Sequence, residues 1–435
     1  MGVNMYYLKL FDETLITFEM ERKLSLKIFN INVVSENKRL FPEILQSHIN
    51  SENIEEFLKQ RIVPKNRAFV DEILRAQDLT LKDIKGVIDI CKGLSLNDCY
   101  WVTDNETMKF EDYNLYDNNF STTLSLIAFT GYTSKIKGIA TSPEFTTNGA
   151  LPKAWRRIDN KVYLYKGSTE GWNFSNTGYE PYSEYYATQI AETMEINAVK
   201  YDLNKWKGML ASVCELFTNK QYSYVPIYLA AKTDKIDEIY KWCCKNDFQE
   251  AFSNMIAFDS VILNQDRHLA NFGVLKDNTT GEYVSLAPIF DNGEGLLSKG
   301  DIKVFNDDKE FNKYIQNVAV NTSCYGVDYK ELVKAFCGKE QIAKLRKLLN
   351  FNFKKHSKYN LPEQRLKLLE GMIQTRAREL INEIEKETNK RKTISEIETY
   401  ETTETTESNI TLEELQALLN ERQIDNDFGL DEPEF

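Results

Sequence analysis

The chain has 435 residues, of which 42% are hydrophobic and 12% aromatic, and it carries a formal net charge of −12. That apolar content can build a core, which excludes wholesale disorder, and at roughly 100–200 residues per domain the length suggests two or three compact units. No run of about 18 apolar residues offers a membrane-spanning helix, and residues 1–11 lack the basic-then-apolar pattern of a secretory signal.

In chain order, residues 14–20 and 24–34 read as strands, from their β-branched and aromatic content and rough alternation. Residues 50–90 contain helical segments, broken near Pro64-Lys65-Asn66 and at Asp83. Residues 100–105 form a short strand and a turn, and 122–131 a buried helix or strand closed by Gly131. These elements make an N-terminal α+β module, residues 1–130. From 145 to 218 the order is strand, strand, helix, strand, strand. The first pair, 151–158 and 161–168, flanks a tight turn at Asp159-Asn160. Pro181 sits where a first helical turn tolerates proline, opening a helix over 181–194. The second pair, 196–203 and 208–218, is joined by Asn204 to Lys207. From 219 the chain is mostly helical, broken once by a hairpin with arms 271–277 and 283–291. Residues 361–389 form a long charged helix.

After 390 the composition turns to Thr, Glu and Ser, an acidic disordered tail. From Thr393 to Phe435 there are 13 acidic residues and one basic residue, Arg422, so the acidic charge belongs to the tail and the body is neutral. A neutral body has no global pull toward nucleic acid. Within the tail, residues 410–422 carry a capping-box pattern, Thr411 to Glu414, with Leu412, Leu415, Leu418 and Leu419 at helical spacing. This is a short amphipathic helix, read either as a fraying tail or as a docking peptide. The seven cysteines are odd in number and include no C-x-x-C spacing. They read as small buried hydrophobes in a reducing cytosol rather than a disulfide or zinc framework. The three histidines form no H-E-x-x-H.

The densest chemistry lies in NQDRHLANFGVL (264–275) and APIFDNGEG (287–295). Asp266 and Asn271, five residues apart in one loop, can face a common point. The hairpin then returns Asp291 beside Asn271. An amide oxygen and a carboxylate meeting there are hard ligands suited to Mg²⁺. Asp266 remains free to orient a hydroxyl and accept its proton, the layout of phosphoryl transfer. Upstream, alternation puts Val162, Leu164 and Lys166 on one strand face. A lysine on an apolar face needs an anion, since burying a bare ammonium is costly; ATP phosphates or a glutamate on the next helix would serve. Glu184, at the edge of the stripe Tyr186, Ala187, Ile190, Ala191 and Met194, is that glutamate, whereas Glu192 points away.

With these residues the chain resembles HipA-like Ser/Thr kinases, with relatives among CtkA-type proteins, over roughly 140–385. The resemblance implies an α+β, two-lobed protein-kinase-like fold, with a mixed N-lobe at 131–218, a helical C-lobe at 219–389 and ATP between them. It implies Asp266 as catalytic base, Asn271 and Asp291 as Mg²⁺ ligands, Lys166 as the phosphate-binding lysine and Glu215, Leu216 and Phe217 as the adenine hinge. Residues 146–155 resemble the phosphate-covering loop, with Gly149 and Lys153 available to phosphate and Ser142, Thr146 and Thr147 the nearby hydroxyls for self-modification. His268, in D-R-H-x-x-N, resembles a residue orienting the transferred phosphate. The loop is glycine-poor: no G-x-G-x-x-G and no G-x-x-x-x-G-K-[ST] occurs. Some HipA-like proteins are toxins paired with a DNA-binding antitoxin, so an antitoxin-like partner and a protein substrate are implied, with no direct nucleic-acid or membrane contact and a cytoplasmic setting. Two other readings stand beside this one: a lipid or small-molecule kinase of the phosphatidylinositol-kinase-like type, and a catalytically silent kinase-fold binding module.

Overall fold

A computed structural model of the chain describes residues 4–22, 26–136, 141–169, 178–321 and 324–404, with side chains described to 390 except at 321. Residues 1–384 form one compact unit and 385–435 a second. The expected amphipathic segment at 410–422 lies outside the described residues.

The chain opens with β1 (Asn4–Leu10), β2 (Glu13–Arg22) and β3 (Leu26–Val33), followed by helices α1 (Glu43–Gln46), α2 (Ser51–Lys59), α3 (Val70–Arg75) and α4 (Ile84–Cys91), and by β4 (Tyr100–Thr103). The strands pair antiparallel in the order β3-β2-β1-β4. Alternation on β2 sends Ile16, Phe18 and Met20 inward, and they join Trp101 of β4 in one apolar cluster. α5 (Thr122–Thr130) starts on Ser121, whose hydroxyl accepts from Leu124 N–H, and stops at Gly131 in the left-handed region, the conformation glycine adopts most readily at a helix end.

A second antiparallel sheet follows: β5 (Lys153–Ile158), β6 (Lys161–Lys166), β7 (Tyr201–Trp206) and β8 (Met209–Glu215), in the order β5-β6-β8-β7. Asp159 and Asn160 both have positive φ, 48° and 63°, the geometry that matches a two-residue hairpin to strand twist. The second hairpin turns later than its sequence suggested. β7 runs to Trp206 and the turn is at Lys207-Gly208, both at positive φ, because glycine rather than Asn204 supplies the left-handed corner. Between the hairpins, α6 (Glu180–Met194) carries its proline in the first turn.

Beyond the sheet lie β9 (Tyr222–Pro226), α7 (Ile227–Ala231), α8 (Ile236–Lys245) and α9 (Gln249–Ile262), then β10 (Gly273–Asp277) and β11 (Tyr283–Leu286). The expected hairpin is there, but it is part of a three-stranded sheet, β11-β10-β9. β9 was not foreseen because its pairing with β10, Val225 opposite Val274, rests on backbone groups distant in sequence. α9 buries every residue from Phe252 to Ile262, the polar Ser253, Asn254, Asp259 and Ser260 among them. α10 (Asp308–Asn321), α11 (Tyr329–Phe336), α12 (Lys339–Arg346) and α13 (Glu363–Glu404) complete the chain. α13 continues past 389, correcting the break expected near 390. No proline or glycine interrupts residues 372–404, and a Glu- and Lys-rich stretch without helix breakers propagates a helix readily.

Candidate active site

β6 lies between β5 and β8, so its last residue, Lys166, has cross-strand neighbours on both sides, Lys153 and Ser212. Directly opposed residues share a face, which puts both lysines on one side of the sheet. α6 packs its stripe of Tyr186, Ala187, Ile190, Ala191 and Met194 into the core and carries Glu184 inward with it. The expected ion pair is present: Lys166 Nζ donates to Glu184 Oε1 at 2.9 Å. The other oxygen of Glu184 accepts from Asn292 N–H at 2.7 Å, so this fully buried carboxylate has partners on both sides. Burial and the neighbouring Asp291 push the Glu184 pKa up, against the pull of Lys166. Lys166 also pairs with Asp291. Burial opposes the charge on Lys166, but the two carboxylates outweigh it and raise its pKa. Burial likewise opposes ionisation of Asp291, but Lys166 and then Lys153 outweigh it and hold Asp291 well below the usual carboxylate range.

Asp291 reaches this point because the segment before it is bridged to residues 197–199. Val199 N–H donates to Ile289 O at 2.8 Å and Ile289 N–H to Asn197 O at 3.0 Å. Asp291 itself sits at φ 56°, with its N–H donating to Tyr201 Oη at 3.2 Å.

The organiser of the candidate catalytic segment is Arg267. Its guanidinium forks onto Asp259 of α9, Nε to Oδ2 at 2.9 Å and Nη2 to Oδ1 at 3.1 Å. Nη1 donates to Asn271 O at 3.0 Å and also to Phe290 O, and Nη2 donates to Asn292 Oδ1 at 2.6 Å. One buried fork therefore ties the Asp266–Asn271 loop to the 290–292 segment. Sequence reasoning quoted Arg267 inside D-R-H-x-x-N without giving it a role and passed over Asp259 altogether. The available signal was a lone carboxylate inside the apolar run MIAFDSVIL, which must be paired if buried.

Asn271 donates from Nδ2 to Asp266 O at 2.8 Å, which leaves its Oδ1 as the atom turned to other work. Asp266 is half-exposed. Burial and then the charge of Glu294 push its pKa up, while His268 and Lys166 pull the other way. His268 Nε2 is 4.0 Å from Asp266 Oδ1, and its Nδ1 accepts from Ala270 N–H at 3.2 Å. An amide oxygen and a carboxylate form a sparse hard donor set. It suits Mg²⁺, which keeps several waters and substrate oxygens in its shell.

The expected phosphate loop is held at its glycine. Gly149 has φ 91°, and a Cβ there would fall on the Lys153 ammonium. Lys153 Nζ donates to Asn148 O at 2.9 Å. Burial and the charge of Lys166 bring its pKa down to about 7. Of the hydroxyls, Thr146 Oγ1 donates to Leu94 O at 2.9 Å and Thr147 Oγ1 to Pro143 O at 2.7 Å, while Ser142 is buried. At the expected hinge, Leu216 N–H donates to Val162 O at 2.9 Å, so that amide is not open to an adenine. Glu215 pairs at the surface with Lys161 at 2.9 Å. Phe217 packs against Phe290 and Tyr224 with ring centroids 5.5 and 5.8 Å apart. A cavity of about 570 Å³ lies elsewhere, lined by Phe57, Arg61, Tyr100 and Tyr228 among others; Lys166, Asp266, Asn271 and Asp291 do not line it. The converging charges, not the cavity, mark the chemical centre.

No family model matches the chain. It is 28% identical over 182 residues to the serine/threonine-protein kinase CtkA of Helicobacter pylori strain J99, a match covering 37% of this chain and 55% of that protein. The chain thus spans little more than half the length of the curated relative it matches. The crystal structure of a Helicobacter pylori proinflammatory kinase CtkA matches 55% of this chain and 94% of its own, at 19% identity and a TM-score of 0.42. A chain of the Shewanella oneidensis MR-1 toxin–antitoxin complex of HipA, HipB and operator DNA matches 88% of this chain and 99% of its own, at 10% identity and a TM-score of 0.50. The chain is similar to kinases of the HipA and CtkA type and has the mixed α/β fold of that complex's chain.

Proposed function

We propose that this chain is a Ser/Thr protein kinase of the HipA-like kind, using Mg²⁺ and ATP. The observation that carries the reading is the position of Lys166 Nζ between Glu184 and Asp291, with Asp266 and Asn271 fixed nearby through Arg267. Lys166 and Lys153 would hold phosphate oxygens, since they share a sheet face and only Lys166 has carboxylate partners. Asn271 Oδ1 and Asp291 would hold Mg²⁺. When bound, the metal and nucleotide supply a charge-neutralised phosphoryl group. Asp266 orients the acceptor hydroxyl and takes its proton, which requires the carboxylate form. His268, half-exposed beside Asp266, faces the same reacting region. Phe217, with Phe290, offers an apolar surface for the base.

The substrate is a protein hydroxyl, and the partner an antitoxin-like protein; the HipA relative was solved with HipB and operator DNA. Direct nucleic-acid contact is not part of the reading, because the body of this chain is neutral. A reducing cytosolic setting is part of the same reading. Among the described residues no helix is long and apolar enough to cross a membrane.

The test is intact-protein mass spectrometry after incubation with Mg-ATP, wild type beside Asp266→Asn, with a nucleotide-induced thermal shift on the same samples. Phosphate gained by the wild type alone supports kinase chemistry and self-modification. The absence of both a phosphate gain and a thermal shift would overturn the reading.

A further inference from the structure

Residues 144–153, which take in most of the expected phosphate-covering loop at 146–155, are held by the N-terminal part of the chain at three points. Arg67 Nη2 donates to Lys153 O at 2.8 Å and to Glu144 Oε2 at 3.3 Å. Ala68 N–H donates to Ala150 O at 2.9 Å, on the far side of Gly149. Leu94 O accepts from Thr146 Oγ1 at 2.9 Å. Glu144 closes the frame by accepting from Trp155 N–H of β5 at 2.8 Å.

This arrangement is not one that stability alone favours. Both side chains of the Arg67–Glu144 pair are fully buried, and Nε and Nη1 of Arg67 are buried without a hydrogen-bond partner. A buried ion pair with unsatisfied donors is commonly no more stable than apolar residues of the same volume. What the guanidinium does supply is direction: one nitrogen of a rigid plane, Nη2, donates to a carbonyl and a carboxylate at once. The carbonyl it fixes is that of Lys153, whose ammonium reaches back to Asn148 O across Gly149 and stands on the same sheet face as Lys166.

We propose that Arg67 is a positioning residue for nucleotide binding: through Glu144 and the Lys153 carbonyl, the N-terminal module locks residues 144–153 so that Lys153 faces the phosphate site beside Lys166. The proposal rests on the kinase reading for its nucleotide, but the lock itself is a property of the apo chain.

The test uses the full chain as wild type, Arg67→Met, and Arg61→Met as control. Arg61 is another arginine of the same module paired with an acid, its Nη1 and Nη2 donating to Asp98 Oδ1 and Oδ2 at 2.9 and 2.8 Å rather than to residues 144–153. Two quantities are read: KM for ATP against kcat, and amide hydrogen exchange over 144–155 without nucleotide. Arg67→Met is expected to raise KM about tenfold with kcat within about threefold, whereas Arg61→Met leaves KM within about twofold. Exchange at 144–155 is expected to accelerate in Arg67→Met alone. If Arg67→Met does not fold, Arg67→Lys keeps the charge, loses the rigid planar donor and is expected to give the same two changes. Unchanged exchange at 144–155, or an equal rise in KM from Arg61→Met, would overturn the proposal. If the wild type transfers no phosphate, the kinase reading fails, and the exchange measurement alone decides whether the lock exists.

Discussion

Arg267 grips Asp259 through two hydrogen bonds, 2.9 and 3.1 Å long, both side chains inside the core. The remaining donors of the same guanidinium reach Asn271 O, Phe290 O and Asn292 Oδ1. The loop bearing Asp266 and the segment bearing Asp291 are therefore aligned by one residue that hydrogen-bonds to neither candidate carboxylate. Asp259→Asn removes the charge that pairs the fork and leaves a buried guanidinium uncompensated. Breaking a buried pair in this way costs about 3–5 kcal/mol. Chemical denaturation of the variant beside wild type is expected to show a loss of that order; a loss under about 1 kcal/mol would mean the network is dispensable.

Asp266→Asn keeps the size and the local loop but removes the proton acceptor. Transfer is expected to vanish while Mg-ATP affinity, followed by calorimetry, stays near wild type. Activity within about tenfold of wild type, under roughly 1.4 kcal/mol of barrier, would show that another group takes the proton.

Lys166→Met leaves Glu184 and Asp291 without the ammonium that bridges them. Loss of one well-placed electrostatic partner in a reacting site typically costs about 10²–10³ in rate. A fall of that size in kcat/KM is expected, read by radiolabel transfer from ATP. A variant that melts like wild type and keeps full activity would remove Lys166 from the mechanism.

Gly149→Ala has two consequences at once. The added Cβ meets the Lys153 ammonium, and φ 91° is a conformation alanine resists. Gly208→Ala is the matched comparison, since φ is 83° there but nothing lies within 4 Å of the added atom. Both variants are expected to lose about 1 kcal/mol of stability from the backbone alone. Only Gly149→Ala is expected to weaken Mg-ATP binding. Equal binding by the two variants would separate the loop from the nucleotide.

Glu144 gives a pH signature. Burial raises its pKa from 4.5 to about 7, against the opposing charge of Arg67. The folded state thus holds the proton more tightly than the unfolded chain. The stability this contributes is complete below about pH 4.5 and is lost as the pH rises through 7, a change on the order of 3 kcal/mol. Glu144→Gln cannot titrate. Urea midpoints measured from pH 4.5 to 8 are expected to fall with pH in wild type relative to the variant, and parallel profiles would contradict the assignment.

Much of the local structure was legible because it depends on neighbours in sequence. The left-handed pair Asp159-Asn160, the proline in the first turn of α6 and the alternation that turns Lys166 inward are all decided within a few residues. The spacing from Asp266 to Asn271, and the hairpin that follows, brought the candidate catalytic groups into one neighbourhood on the page. The face of α6 that carries Glu184 followed from its apolar stripe.

What tertiary structure decided was which buried charges meet. Arg67 and Glu144 lie 77 residues apart, and nothing in either local sequence marks one as the partner of the other. β9 joins β10 through backbone amides and carbonyls that every residue type carries, so its side chains gave no address. Arg267 selects two backbone carbonyls, an amide and a carboxylate from three stretches of chain, and carbonyl positions are invisible in a sequence. The residue types and their local periodicity set which groups must be buried and which faces they share. Only the packed chain, by excluding water around those groups and leaving each a small choice of partners, determined that the buried guanidinium of Arg267 would tie the two halves of the site together.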